Sequence, residues 1–141
     1  HIQSPLLAVN SSCMTCHHTS EEEMTQRVVG IQDQFIGTRD VAFDSLVALI
    51  RAIETAQTDG TPAAAIDEAR EFQNKASFYL DYVYSENSYG FHAPAYIQRI
   101  LADSLDASRK GQLVLSGVDV TTLEPSDISA ENEKKSEERG A

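Results

Sequence analysis

The chain has 141 residues, enough for one small domain with its own hydrophobic core. Its formal net charge of -11 opposes binding to nucleic acid or to an anionic membrane surface, because both repel a negatively charged protein. No apolar run reaches the roughly 20 residues that a membrane-spanning helix needs, and the chain starts at His1 without the features of a signal peptide.

The first distinctive stretch is Cys13-Met14-Thr15-Cys16-His17, which has the pattern C-x-x-C-H and holds both cysteines of the chain. This pattern is typical of a c-type haem, whose edge is bonded to the two sulfurs and whose iron is ligated by the histidine. Two other interpretations stay open: a packed or disulfide-bonded cysteine pair, and a zinc half-site completed by His18 and His92. A haem of this type is attached outside the bacterial cytoplasm. The motif therefore predicts an exported protein, and the chain is expected to be a mature form or the end of a longer protein.

Residues 1–19, which contain this motif, lack a helical period and are predicted to be a haem-attachment loop. Ser20 and Glu23 then form a predicted capping box at the start of a helix. Apolar residues recur from there at spacings of three and four, which predicts a helix of about 37 residues and roughly 55 Å. Its expected buried stripe is Met24, Val28, Ile31, Phe35, Thr38, Ala42, Leu46, Leu49, Ile53 and Ala56.

Two more helices are predicted after this one. The second starts at Pro62 and ends near Glu86, and the third runs from Ala93 to about Lys110, where Gly111 is expected to stop it. The fold class is therefore all-α, with the first two helices forming a long antiparallel hairpin. The first helix exceeds the core that the chain can form, so part of it is expected to lie on a second copy or on another part of a larger protein. Residues 118–141 lack a period and aromatics and are predicted to be a disordered charged tail.

The four histidines of the chain are the candidate metal ligands. His17 is the proximal haem ligand by motif, whereas His18 is expected at the surface or beside a haem propionate. His92 follows Gly90 in the break between the second and third helices. It is either a polar cap residue or an axial haem ligand. His1, at the very start of the chain, has no role that the residues alone predict.

Several stretches together resemble the C-terminal part of ammonia-forming, pentahaem cytochrome c nitrite reductase, which reduces nitrite to ammonium. They are residues 1–7, the C-x-x-C-H motif, residues 21–23, 78–81, 86–94 and 109–113. The resemblance implies that Cys13 and Cys16 attach the last haem and that His17 is its proximal ligand. It also implies that His92 is the distal ligand of the preceding haem and that His1 is the distal ligand of another haem.

The resemblance further implies a larger assembly. The family's catalytic haem is bound through a C-x-x-C-K motif, beside a substrate pocket of Arg, Tyr and His and a calcium ion, and none of these is in this chain. No catalytic residue is therefore expected here; residues 20–117 would be a haem-ligating and dimerisation region of a periplasmic homodimer. The catalytic part and its further haems would lie in a missing N-terminal part or a second polypeptide, and electrons would come from a donor cytochrome or a quinol dehydrogenase.

Two alternatives remain beside this interpretation. The chain could be a self-contained monohaem electron carrier, in which His92 folds back onto the iron that His17 ligates. It could also be the end of an octahaem nitrite or hydroxylamine oxidoreductase. The number of haems and chains in the purified particle separates all three.

Overall fold

The computed structural model describes residues 5–123 of the chain. Every regular element within that range is helical, which confirms the predicted all-α class. None of the helices between residues 5 and 123 is long and apolar enough to cross a lipid bilayer. The α-helices are α1 (Val9–Ser12), α2 (Glu21–Ala56), α3 (Ala63–Tyr84) and α4 (Pro94–Leu115), and short 3₁₀ helices occupy Pro5–Ala8 and Val120–Thr122.

Helix α2 is the longest helix, and its start and its buried face follow the sequence pattern. The Ser20 side chain accepts a hydrogen bond from the backbone N–H of Glu23 at 3.1 Å, so Ser20 is the predicted N-cap. Three glutamates lie in the first turn, where the positive end of the helix dipole favours negative charge. Of the ten residues in the predicted stripe, Ile31 and Thr38 are half-buried and the other eight are buried.

Helix α4 packs against both α2 and α3, and each of those helices contacts α4 more extensively than it contacts the other. The predicted two-helix hairpin is therefore part of a three-helix bundle. Gln32 of α2 donates to the backbone of Ser88, just before α4, while Gln112 near the end of α4 donates to the backbone of Ser45. Helix α4 consequently runs parallel to α2. In contrast, Ser104 of α4 donates to Ala76 of α3 in an antiparallel arrangement, in which Phe72 lies beside Gly111.

The main core lies where these three helices meet, with a smaller cluster toward the end of α2. Leu49, Ile53 and Ala69 form that second cluster. The main cluster takes residues from all three helices: Phe35, Ala42, Leu46, Ala76, Leu80, Val83, Ile97, Ile100, Leu101 and Ala107. The α3 members Ala76, Leu80 and Val83 recur at spacings of four and three, which is the pattern of a helix face that meets the core.

Several predicted boundaries were wrong. Gly111 lies inside α4, which continues to Leu115, because the glycine provides room for a neighbouring helix and does not cap the chain. The helix ends before Gly117, whose φ of 81° is left-handed. Residues predicted as an N-terminal loop include the short helices Pro5–Ala8 and Val9–Ser12.

The predicted tail overlaps residues that the structure describes. Residues 118–123 are described: Val120–Thr122 form a 3₁₀ helix, and Val120 is buried. Disorder was therefore the wrong prediction for this part, because one apolar side chain is covered by the bundle. Residues 124–141, which include the run of mixed charges, lie outside the described residues, as does His1.

Candidate functional site

The C-x-x-C-H motif forms one compact helical turn. The backbone N–H of His17 donates to the carbonyl of Cys13 at 3.0 Å, and that of Cys16 donates to the same carbonyl at 3.2 Å. Residues three and four positions apart in such a turn lie on one side of it. Cys13 is half-buried, Cys16 and His17 are exposed, and both thiols are free. The backbone spacing of this turn is therefore compatible with two sulfurs and an imidazole that serve one flat cofactor.

Helix α1 fixes this turn to the start of α2. Val9 is buried, and its carbonyl accepts a hydrogen bond from the backbone N–H of Cys13 at 2.8 Å. The Asn10 side chain donates to the Glu21 carboxylate at 2.6 Å, which ties α1 to the first turn of α2. Met24, one turn further along α2, is buried as well. The motif is thus held at the N-terminal end of the longest helix.

The other interpretations of the motif gain no support from the structure. Cys13 and Cys16 are not joined by a disulfide. Structural zinc requires four ligands, and no three His, Cys, Asp or Glu side chains within residues 5–123 are close enough to hold a metal ion. His18, proposed as a third zinc ligand, is exposed beside the motif, and His92 belongs to the connection between α3 and α4.

The connection that carries His92 is anchored on α2. The Gln32 side chain donates to the Ser88 carbonyl at 3.1 Å, and the Tyr89 ring meets the Phe35 ring edge-on at 6.0 Å. Tyr89 and Gly90 both have left-handed backbone conformations, with φ of 53° and 80°. A Cβ atom at Gly90 would lie 3.3 Å from the Phe35 side chain, so the chain approaches α2 closely at this point. The two left-handed residues reverse the chain sharply before His92.

The Glu86 side chain stabilises this connection through hydrogen bonds to its backbone. Its two carboxylate oxygens each accept a backbone hydrogen bond at 2.8 Å, Oε1 from Ser88 and Oε2 from Gly90. The Ser88 hydroxyl oxygen accepts the backbone N–H of His92 at 3.0 Å. The His92 Nδ1 atom lies 3.8 Å from Glu86 Oε1. The His92 side chain is 68% exposed while the Glu86 side chain is only 25% exposed, so the imidazole projects outward from the turn that Glu86 holds in place.

Opposing effects act on the pKa of Glu86. Burial raises it, but hydrogen bonds from the Ser88 side chain and from the backbone of Gly90 and Ser88, together with the charge of His92, lower it by more. The pKa therefore lies below its ordinary value, and the carboxylate is ionised at neutral pH. The sequence analysis did not identify Glu86 or Ser88 as site residues. An acidic residue that precedes a glycine-containing turn by a few positions can accept the backbone N–H groups of that turn, here those of Ser88 and Gly90. This pattern is the signal that could have identified Glu86.

The structure places His17 and His92 at different levels along α2. Asn10, three residues before the motif, is hydrogen-bonded to Glu21, whereas the His92 connection is hydrogen-bonded to Gln32, 11 residues further along α2. At 1.5 Å per residue these anchor points are about 16 Å apart along the helix. Two histidines that ligate one iron must both lie within bonding distance of the same atom. The separation of the anchor points does not favour such an arrangement.

The sequence matches the cytochrome c552 family over residues 1–140. The chain belongs to the cytochrome c552 family. Its members are multihaem c-type cytochromes, so haem c is covalently bound, and Cys13, Cys16 and His17 fit its attachment. The role of each residue remains a prediction.

Three relatives show the range of the similarity within the cytochrome c552 family. The chain is 31% identical to a cytochrome c-552 of Bacteroides fragilis over 84% of its own length and 24% of the relative. A cytochrome c-552 of Maridesulfovibrio salexigens is 29% identical over 91% of the chain and 26% of the relative. A cytochrome c nitrite reductase subunit NrfA of Nitratidesulfovibrio vulgaris is 33% identical over 70% of the chain and 20% of the relative. The chain therefore spans about a quarter of the length of the curated relatives that it matches.

Proposed function

We propose that this chain is the C-terminal portion of a multihaem cytochrome c nitrite reductase that reduces nitrite to ammonium, and that it carries the last electron-transfer haem. Cys13 and Cys16 attach that haem, and His17 is its proximal ligand. His92 is the distal ligand of a neighbouring haem, and His1 that of a third. The name of the Nitratidesulfovibrio vulgaris relative supports the reaction, and the resemblance of residues 86–94 supports the role of His92.

The observation that carries this proposal is the separation of the two histidine sites along α2. A monohaem carrier needs His17 and His92 on opposite sides of one iron. Their anchor points at Glu21 and Gln32 differ by about 16 Å along the helix, so two haems accommodate them without rearrangement. The exposure of both imidazoles also fits ligands that reach toward cofactors beside the bundle.

The chain's own residues bind and orient the haems and do not act on nitrite. A bound haem c supplies one-electron redox chemistry at its iron. His17 and His92 would hold haem irons through their ring nitrogens, and the haems held in this way would supply electron transfer. The catalytic haem, the substrate pocket and calcium belong, on this proposal, to the missing N-terminal part or to a second polypeptide.

A second copy of the chain is the partner that α2 fits. Four apolar residues on this helix are 37–47% exposed and recur at intervals of seven: Val29, Ile36, Phe43 and Ile50. A seven-residue apolar repeat is the pattern through which long helices pair. We infer a homodimer through α2, located in the periplasm, that receives electrons from a donor cytochrome or a quinol dehydrogenase.

Site-directed variants of the haem-loaded native assembly test the haem assignment. His92→Ala should convert one haem from the low-spin to the high-spin form without changing the number of haems, and His17→Ala should affect a different haem. The double variant should therefore change two haems, as counted by electron paramagnetic resonance. His18→Ala, at a neighbouring exposed histidine, is the control and should leave all haems low-spin.

Haem stoichiometry and activity complete the test. The proposal expects ammonium as the product of nitrite reduction by the assembly with a reduced viologen as donor. A particle with a single haem, altered alike by His17→Ala and His92→Ala, would establish the monohaem carrier. Eight haems per catalytic unit would assign the chain to an octahaem oxidoreductase.

A further inference from the structure

The Glu86 carboxylate makes more polar contacts than an exposed surface carboxylate commonly does. Both of its oxygens accept backbone N–H groups at 2.8 Å, and the same Oε1 atom that binds Ser88 also lies 3.8 Å from Nδ1 of His92. Only a quarter of the side chain is exposed. The carboxylate therefore connects the backbone of the turn with the imidazole that follows it.

The position of the imidazole follows from these contacts. Its backbone N–H is held by the Ser88 hydroxyl at 3.0 Å, and the backbone N–H of Ser88 is in turn held by Glu86. The two nitrogens of an imidazole lie on different sides of the ring. Since Nδ1 faces Glu86, Nε2 lies on the other side of the ring, and the His92 side chain as a whole is 68% exposed. Histidines that bind metals through one nitrogen commonly donate the other N–H to a carboxylate, which fixes the ring and increases its basicity.

We propose that Glu86 is a positioning residue for His92: it locks the 86–92 turn and accepts a hydrogen bond from the Nδ1–H group, so that Nε2 is presented to the iron of the neighbouring haem. This inference rests on the proposed role of His92 as a distal ligand and adds the group that orients its ring. At 3.8 Å the present contact is electrostatic, and the hydrogen bond closes when the exposed ring rotates toward the carboxylate.

Two consequences separate this role from a purely structural one. A negative charge beside the ligand favours the ferric over the ferrous iron, so its removal should raise the midpoint potential of one haem. Loss of a comparable outer contact commonly changes a metal site's properties by tenfold or more. For a one-electron couple, about tenfold in the reduction equilibrium corresponds to about 59 mV.

The test uses Glu86→Gln in the haem-loaded native assembly. The amide can accept a hydrogen bond at one position only, so one of the two backbone bonds is lost together with the charge. Glu71→Gln, at an exposed position on α3, is the matched control that makes the same change of charge. The readouts are the potential of each haem by spectroelectrochemistry and the amide hydrogen exchange of the 86–92 segment.

The proposal expects Glu86→Gln to accelerate amide exchange in the 86–92 segment. It also expects the equilibrium constant for reduction to rise by about tenfold at one haem, the same haem that His92→Ala makes high-spin. Glu71→Gln should change neither quantity. Faster exchange with unchanged potentials would overturn the positioning role and leave Glu86 as a structural residue only. If His92→Ala alters no haem, the proposed ligand role itself fails. That result is distinct, because it does not depend on Glu86.

Discussion

Leu49 of α2 lies directly over Gly111 of α4. A Cβ atom placed at residue 111 would stand 2.8 Å from each terminal methyl of Leu49 and 3.2 Å from the Cβ of Phe72. Leu49 is fully buried, so its methyl groups have little space into which to move. The absence of a side chain at residue 111 allows α2, α3 and α4 to meet closely near the end of the bundle.

Gly111→Ala should therefore destabilise the protein although alanine is the better helix former. The gain in helix propensity is about 1 kcal/mol, while overpacking a core costs about 1–3 kcal/mol. We expect a net loss of about 1 kcal/mol in the free energy of unfolding, measured by thermal denaturation followed by circular dichroism. Gly30→Ala on α2 is the control, since a Cβ there meets no atom within 4 Å and the substitution should stabilise. An equal stabilisation by both variants would show that the contact over Gly111 is not tight.

Two buried serines one turn apart on α4 provide a second comparison. Ser104 donates a hydrogen bond to the carbonyl of Ala76 at 2.9 Å, whereas the equally buried Ser108 hydroxyl has no partner among residues 5–123. Ser104→Ala should lower the free energy of unfolding by about 1 kcal/mol, because a hydrogen bond between helices is lost. Ser108→Ala should be neutral or stabilising by about 1 kcal/mol, because it removes a buried polar group that lacks a bond. Chemical denaturation of both variants checks this, and a loss of stability in Ser108→Ala would reveal a partner.

The turn before His92 can be tested through Gly90, which has φ of 80° and where an added Cβ atom would lie 3.3 Å from the Phe35 side chain. Gly90→Ala should strain the backbone by about 1–2 kcal/mol and displace Phe35, so that the 86–92 segment exchanges its amides faster and one haem loses its low-spin spectrum. Gly60 has a similar φ of 88°, but a Cβ there meets nothing within 4 Å. Gly60→Ala should therefore cost stability without changing any haem spectrum. A spectrum that is unchanged in both variants would contradict a ligand role for this turn.

The sequence pattern was most informative where burial alone decides the structure. Eight of the ten residues expected on the buried face of α2 are buried, because a period of three and four reports which side of a helix meets the core. The pattern could not rank helix pairs, so it missed that α4 lies against both α2 and α3. The prediction that Gly111 ends a helix was wrong for a related reason. In the sequence, a glycine that ends a helix cannot be distinguished from one that lets a neighbouring helix pack closely.

The candidate site was predictable to a similar extent. Cys13, Cys16 and His17 were apparent because their chemistry requires a local spacing. Glu86 was not identified, because its role arises from bonds to the Ser88 and Gly90 backbone that only a folded turn brings within reach. Before folding was considered, only the family resemblance implied that the two sites are separate, because the Gln32 anchor on α2 is a contact of the folded chain.

The turn between α2 and α3 gives a prediction for pH dependence. Asp59 Oδ1 accepts the backbone N–H of Thr61 at 3.0 Å and its hydroxyl at 2.6 Å, and these bonds hold the pKa of Asp59 below its ordinary value of 3.8. A carboxylate with a lowered pKa stabilises the folded state above its unfolded pKa, and this contribution is lost as the pH falls through the folded pKa. Asp59→Ala should thus be less stable than the native protein at pH 7. The difference in unfolding midpoint should shrink once the pH falls below 3.8, and a constant difference would contradict this role.

The exposed apolar row on α2 gives the last prediction. Ile36 and Phe43 are two members of the seven-residue repeat, and Phe43 is 46% exposed. Phe43→Glu would place a charge in the middle of the proposed α2 interface and should raise the dissociation constant of the proposed dimer by at least tenfold, because an unpaired charge in an apolar interface is costly. Sedimentation velocity of the native assembly measures this. Phe78→Glu, at a 67% exposed aromatic on α3, is the matched control and should leave the dimer intact. Dissociation by Phe78→Glu alone would move the interface to α3 and leave the α2 row to another partner.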